Sequence, residues 1–255
     1  MSLAAYLRQK DMMRASEFEF RHRFWVIILI FFAGFSCYIF EPVNAVQWLI
    51  KAPGGTSPAA AFYPTVPAAR VIFAVGAFLV FAAAAIRTWG TAYLKDEVVR
   101  DSVVRAERLV ADGPYRFVRN PLYLGSLLMA AGIGTLASPI GWLVLMAGMM
   151  LAVLRLIGRE EAFLLEQQGG AYCAYLEQVP KLWPSLRPRL PAGGAEPRWG
   201  QAWIGEMGMW VLFAGSADFA FTLNGRVFDI IVIAGLLLSR VAQISTKRRA
   251  QHRSA

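Results

Sequence analysis

Residues 120–161 read NPLYLGSLLMAAGIGTLASPIGWLVLMAGMMLAVLRLIGREE. Two apolar runs, Leu122 to Ala137 and Ile140 to Ile157, are separated only by Ser138-Pro139. A connection that short predicts a tight antiparallel helical hairpin. Each run approaches the ~20 residues that cross ~30 Å of hydrocarbon at 1.5 Å per residue, with tilt and interfacial residues supplying the rest.

Four further blocks repeat the pattern: Phe24 to Phe40, Val71 to Ile86, Trp203 to Leu223 and Val227 to Ile244. The predicted fold is therefore all-α, a multi-pass transmembrane bundle of about six spans with both termini cytoplasmic. Composition agrees. The 255 residues are 57% hydrophobic and only 17% charged, too few charges to cover a soluble domain. Mean hydropathy is +0.45.

The net charge of +9 reports orientation and not a nucleic-acid partner. With six crossings, basic residues gather on one side: Arg8 to Arg23, Arg87 to Arg119, Arg155 to Arg198 and Arg240 to Arg253. Only Lys51, Arg70 and Arg226 fall on the other, the asymmetry that the positive-inside rule predicts. Glu41-Pro42 after the first block, in place of small residues, predicts no signal-peptide cleavage there. Cys37 lies in a span and Cys173 in a cytoplasmic segment, so no disulfide is expected. His22 and His252 sit near opposite termini, which argues against a zinc centre or a Ser-His-Asp hydrolase.

Three parts are predicted. Residues 1–86 hold a basic amphipathic lead-in and two spans, joined by a loop with Pro53-Gly54-Gly55 and Tyr63-Pro64. Ala82 to Ala85 form a small-residue patch suited to close helix packing. Residues 87–190 hold the central hairpin and its flanking polar segments. Residues 191–255 hold a Pro- and Gly-rich linker, a second hairpin turned at Asn224-Gly225, and a basic tail.

Chemistry concentrates in the middle part. Gly113 to Gly125 reads GPYRFVRNPLYLG. Asp112-Gly113-Pro114 is a turn signal, Asn120 suits a helix N-cap and Pro121 suits the first helical position. Arg116 and Arg119 beside that helix start make a site for a carboxylate or phosphate, or equally a capped helix whose arginines touch lipid headgroups. Arg159-Glu160-Glu161 emerges on the same side. Adjacent carboxylates at a membrane exit need partners, and Arg119, Arg155 and Arg159 are the candidates. Tyr172 and Tyr175, three apart, share a helix face as interfacial anchors or as a binding wall.

Taken together, GPY, RNPLYLG, REEAFL and AYCAYLEQVP resemble the isoprenylcysteine carboxyl methyltransferase and phospholipid methyltransferase group of integral membrane enzymes. That pattern runs roughly GPY…RHPxYxG, then EExxL, then YxxYxxxVP, and the resemblance covers about residues 87–184. Asn120 replaces the family's histidine, which removes a titratable group but keeps a donor and an acceptor. The second hairpin lies outside the minimal family unit.

The resemblance implies an S-adenosyl-L-methionine site on the cytoplasmic side and a lipophilic methyl acceptor arriving from the membrane. It implies that Arg119, Asn120 and Pro121 hold the methionine part of the cofactor. Glu160 and Glu161 take its ribose hydroxyls or amino group. Tyr115, Tyr123, Tyr172 and Tyr175 wall the adenine and sulfonium. Gly113, Pro114, Leu124 and Gly125 complete the cofactor-binding set, and Arg119, Asn120, Glu160 and Glu161 form the catalytic one. The expected partners are membrane lipids, with no nucleic acid and no metal, and the expected location is a bacterial inner membrane. The acceptor and the oligomeric state stay open.

Two other readings compete. Membrane sterol and steroid reductases carry a related RxPxY helix start and tyrosine block but bind NADPH; Glu160-Glu161 and the GPY lead-in favour the methyltransferase. A non-catalytic scaffold or transporter would use Glu206 and Asp218 to line a path. Glu206 is close to the cytoplasmic boundary, however, and Asp218 is placed to pair with Arg226.

Overall fold

The computed structural model describes residues 14–50, 67–94 and 112–253, without the side chains of residues 247–253. The lead-in up to residue 13, the Pro53-Gly54-Gly55 and Tyr63-Pro64 loop, and the charged stretch 95–111 lie outside the described residues. So do Lys51, Lys95, Arg100, Arg105 and Arg108.

Every apolar block is helical. The helices are α1 Glu17–Arg21, α2 Arg23–Ser36, α3 Ala45–Ile50, α4 Pro67–Tyr93, α5 Pro121–Gly134, α6 Pro139–Gln168, α7 Gly170–Gln178, α8 Trp199–Gly205, α9 Met207–Thr222 and α10 Gly225–Arg253. Short 3-10 turns cover Cys37–Ile39 and Gly113–Arg116. No strand occurs among the described residues. Cys37 and Cys173 are free thiols.

Local chemistry sets the boundaries. Ser138 caps α6 by accepting from the Gly141 N–H at 3.1 Å, and Pro139 fills the first position. Gly169, at φ +54°, ends α6 in a conformation that favours glycine. At the second hairpin the left-handed residue is Leu223, φ +53°; Asn224 then accepts from the Arg226 and Val227 N–H groups to start α10. The Asp218 carboxylate accepts from the Thr222 hydroxyl, and among the described residues no ion pair joins it to Arg226.

Helices α4, α6 and α10 (to Thr246) are each long and apolar enough to cross a membrane. The apolar helix α5 has 14 residues, about 21 Å at 1.5 Å per residue. It is short because Pro121 fixes its start and the turn before Ser138 fixes its end. Neighbours in space run α2, α6, α5, α4, α9, α10. Arg240 over the Phe24 ring, 5.3 Å from its centroid, brings α10 back beside α2. The α4–α5 seam is a close one. A methyl group on Gly132 would strike the Gly76 carbonyl, and Ala83 and Ala84 are fully buried there. Outward positions such as Leu29, Phe32, Phe78, Leu143, Ile230 and Leu237 are exposed, as lipid-facing residues are.

Two sets of contacts mark opposite ends. At one, the Ala15 N–H donates to the Arg155 carbonyl at 3.0 Å, and Arg155 pairs with Glu19 at 2.8 Å. At the other, the Tyr38 hydroxyl donates to the Leu136 carbonyl at 2.6 Å and the Ala45 N–H to that of Ala137 at 2.8 Å. The motif residues Arg119, Glu160 and Glu161 lie toward the first end.

Candidate active site

Three motifs far apart in sequence are laced together here. The Tyr175 hydroxyl donates to the Tyr115 carbonyl at 2.9 Å, and the Arg119 N–H donates to Pro180 O at 2.9 Å. Further along, the Ser185 N–H donates to Phe117 O and the Arg189 N–H to Arg116 O, both at 2.9 Å. Asp112 completes the lacing: its carboxylate accepts from the Gly193 and Ala195 N–H groups at 2.6 and 2.8 Å. The turn itself depends on Gly113, at φ +55°, because a methyl group there would also enter the Tyr93 ring. Pro114 and Tyr115 are buried beside it.

The charges are arranged around Glu161, which is 1% exposed. Arg119 Nη1 lies 3.3 Å from Glu161 Oε1, and Lys181 Nζ lies 3.8 Å from Oε2. The Arg119 side chain is buried, and its Nε and Nη1 make no hydrogen bond to the protein. Glu160 accepts from the Tyr123 hydroxyl at 2.7 Å. So the two carboxylates differ: one stands between two cations, the other against a phenol.

Tyr172 and Tyr175 are both buried, with ring centroids 5.7 Å apart. Burial pushes both phenols above their ordinary range. Glu161 adds to that rise at Tyr172, and the Arg119 charge opposes it at Tyr175. Burial does the same to Tyr115. All three therefore stay neutral, and the Tyr175 hydroxyl is held by its bond to the Tyr115 carbonyl.

Two expectations need correction. Asn120 occupies the N-cap position of α5, yet its side chain makes no capping bond; Nδ2 donates instead to the Lys181 carbonyl at 3.1 Å. A backbone acceptor from the tyrosine-motif segment outcompetes the local cap. Arg116 does not join Arg119 at the helix start. Its Nε donates to Leu190 O at 2.8 Å, drawn away by the linker. Pro121 is buried at the first helical position as expected, and Leu124 lies in the first turn. Gly125 faces α4, where a methyl group would strike the Arg87 stem.

Lys181 is the site residue that sequence reasoning passed over. It directly follows the Val-Pro that ends AYCAYLEQVP, and nothing local marks it as a partner for Glu161. A cleft of about 530 Å³ lies at the opposite end, lined by Phe35, Tyr38, Asn44, Ile133, Phe219 and Val232 among others. It includes none of the motif residues, and its Tyr38 and Asn44 are bonded to each other and to backbone carbonyls. The lacing of the motifs is the better guide.

Residues 69–169 match the family model of the phospholipid methyltransferases. The similarity is confined to that segment. It runs from the start of α4 to the end of α6 and contains the GPY, RNPLYLG and REE motifs, while Tyr172, Tyr175 and Lys181 follow it. No curated protein and no solved structure matches the chain. The family is one of membrane methyltransferases acting on lipid-type substrates, in keeping with the three long apolar helices.

Proposed function

We propose that the protein is an S-adenosyl-L-methionine-dependent methyltransferase that modifies a lipid or lipid-linked acceptor at the cytoplasmic face of the membrane. The observation that carries this reading is the Arg119 guanidinium, buried against Glu161 with two nitrogens that make no hydrogen bond to the protein. Buried donors are costly unless matched, and a cofactor carboxylate is a group of the right charge and shape for a guanidinium fork. The family match supplies the reaction class.

S-adenosyl-L-methionine bound there would supply an electrophilic methyl group. The chain's own work is positioning and exclusion of water. Arg119 binds the carboxylate, and Asn120 locks its neighbour, the start of α5, to Lys181. Glu161 holds Arg119 in place and presents an acceptor to the cofactor's amino group or ribose. Tyr115, Tyr172 and Tyr175 exclude water and face the positive charge with aromatic rings. Glu160, held by Tyr123, is placed to accept a proton from an amine acceptor; a carboxylate acceptor needs none.

In this reading the shorter helices α2, α5 and α9 cross alongside the long ones, making six crossings of a bacterial inner membrane. Both termini and the site face the cytoplasm, as the basic residues favour. The acceptor enters from the bilayer. The test is transfer itself: membranes from cells with and without the protein, grown on methyl-labelled methionine, are compared lipid by lipid. A labelled lipid that appears only with the protein, and is lost in Glu161→Gln, supports the proposal. Identical labelling in all three samples contradicts it.

A further inference from the structure

Arg87, on α4, faces Glu206 in the break between α8 and α9. Its Nε and Nη2 donate to the two carboxylate oxygens at 2.7 and 3.1 Å, and the Thr91 hydroxyl donates to the same carboxylate at 2.9 Å. Glu206 is buried. The remaining fork nitrogen, Nη1, turns the other way and donates to Leu122 O at 3.1 Å and Ser126 Oγ at 3.0 Å. One guanidinium therefore joins the C-terminal hairpin to the first turn of α5, directly after Arg119, Asn120 and Pro121. Gly125 makes this possible, since a side chain there would displace the Arg87 stem. Arg87 and Gly125 lie inside the family-matched segment, and Glu206 lies beyond it.

We infer that Arg87 is a positioning residue for the proposed cofactor site, clamped by Glu206, so that the C-terminal hairpin takes part in cofactor binding without touching the cofactor. The inference rests on the function proposed above. An arginine stem is flexible, and a two-point carboxylate contact fixes the plane of the fork. With the fork fixed, the Leu122 carbonyl is held from outside the helix, and the start of α5 keeps its place beside Glu161. Without Glu206 the same arginine is free to follow solvent, and the first turn loses its outside anchor. Gln243 donates to the Ile204 and Gly205 carbonyls at 3.2 and 3.1 Å, so α10 steadies the break that carries the clamp.

A simple tether between helices would look similar, and a charge swap separates the two. Arg87→Glu with Glu206→Arg restores an ion pair between α4 and the hairpin, but a glutamate at position 87 has no donor for Leu122 O. Wild type, Glu206→Ala and the swap are compared in detergent by thermal unfolding, by S-adenosylhomocysteine affinity and by hydrogen exchange of residues 119–128. The expected result for Glu206→Ala is faster exchange in that segment and binding weaker by about tenfold or more. The swap recovers thermal stability and neither of the other two. Should Glu206→Ala fail to insert, Glu206→Gln is read the same way with a smaller effect. Unchanged exchange in the single variants, or recovery of all three properties by the swap, overturns the inference. A wild type that does not bind S-adenosylhomocysteine overturns the function reading instead, and the exchange pattern then decides the role of Arg87 by itself.

Discussion

Arg119 Nη1 stands 3.3 Å from Glu161 Oε1, although one residue precedes α5 and the other closes the far end of the same hairpin. Lys181 reaches the second oxygen from a third segment. Replacing Glu161 by glutamine leaves two cations facing a neutral amide. S-adenosylhomocysteine affinity should fall by about tenfold or more, and stability should fall toward the ~3–5 kcal/mol usual when a buried pair loses one member. Glu160→Gln keeps an acceptor for Tyr123, so it should insert and unfold nearly as wild type does while binding more weakly. If both variants bind like wild type in calorimetry, the carboxylates serve only to join helices.

Asn120 carries the chain's departure from the family pattern. Because its side chain bonds Lys181 O and not the helix start, Asn120→Ala should cost one ordinary hydrogen bond, ~0.5–1.5 kcal/mol, and weaken S-adenosylhomocysteine binding. Asn120→His should keep a donor and stay active, with new pH dependence near ~6.5. An alanine variant equal to wild type in denaturation and binding would remove Asn120 from the site.

Glu19 provides a pH test of the contact between α1 and α6. Hydrogen bonds from Arg155 and then from the Ser16 backbone hold its carboxyl down from 4.5 to about 2. A depressed acid stabilises the fold above its unfolded pKa and loses that contribution as pH falls through the folded one. The stability gap between wild type and Glu19→Gln should be full at neutral pH and shrink between 4.5 and about 2. Thermal unfolding of both proteins across that window measures it; a constant gap would show that Glu19 does not hold α1 through its charge.

Sidedness is tested with thiols. With Cys37 and Cys173 changed to serine, single cysteines at the exposed positions Gln178 and Asn224 should react with an impermeant reagent from opposite sides, Gln178 from the cytoplasm. Labelling of both from one side would rule out a membrane-crossing second hairpin.

Local signals were the readable ones. Ser138-Pro139 and Asn224-Gly225 each announced a helix start within four residues, and both hairpins follow them. The close α4–α5 seam was half visible, through Ala82 to Ala85 but not through Gly76 and Gly132, because a glycine pair reveals its neighbour only in three dimensions. The motifs offered Arg119, Arg155 and Arg159 as partners for the two carboxylates, and Arg119 is the one that pairs with Glu161, while Glu160 turns to Tyr123. They did not show that Asn120 would forgo its cap, since that depends on a carbonyl 61 residues away. Arg87 and Glu206, 119 residues apart, leave no periodic trace at all. Sequence placed Glu206 near the boundary, and only the fold supplied its partner.

The most direct test of the central claim is cofactor choice by the intact, purified protein. S-adenosylmethionine and S-adenosylhomocysteine should each raise the unfolding temperature in a concentration-dependent way, as any ligand of the native state does, and NADPH should not. The same shift should be lost in Glu161→Gln. Stabilisation by NADPH with none by either sulfur compound would contradict the account and return the chain to the reductases.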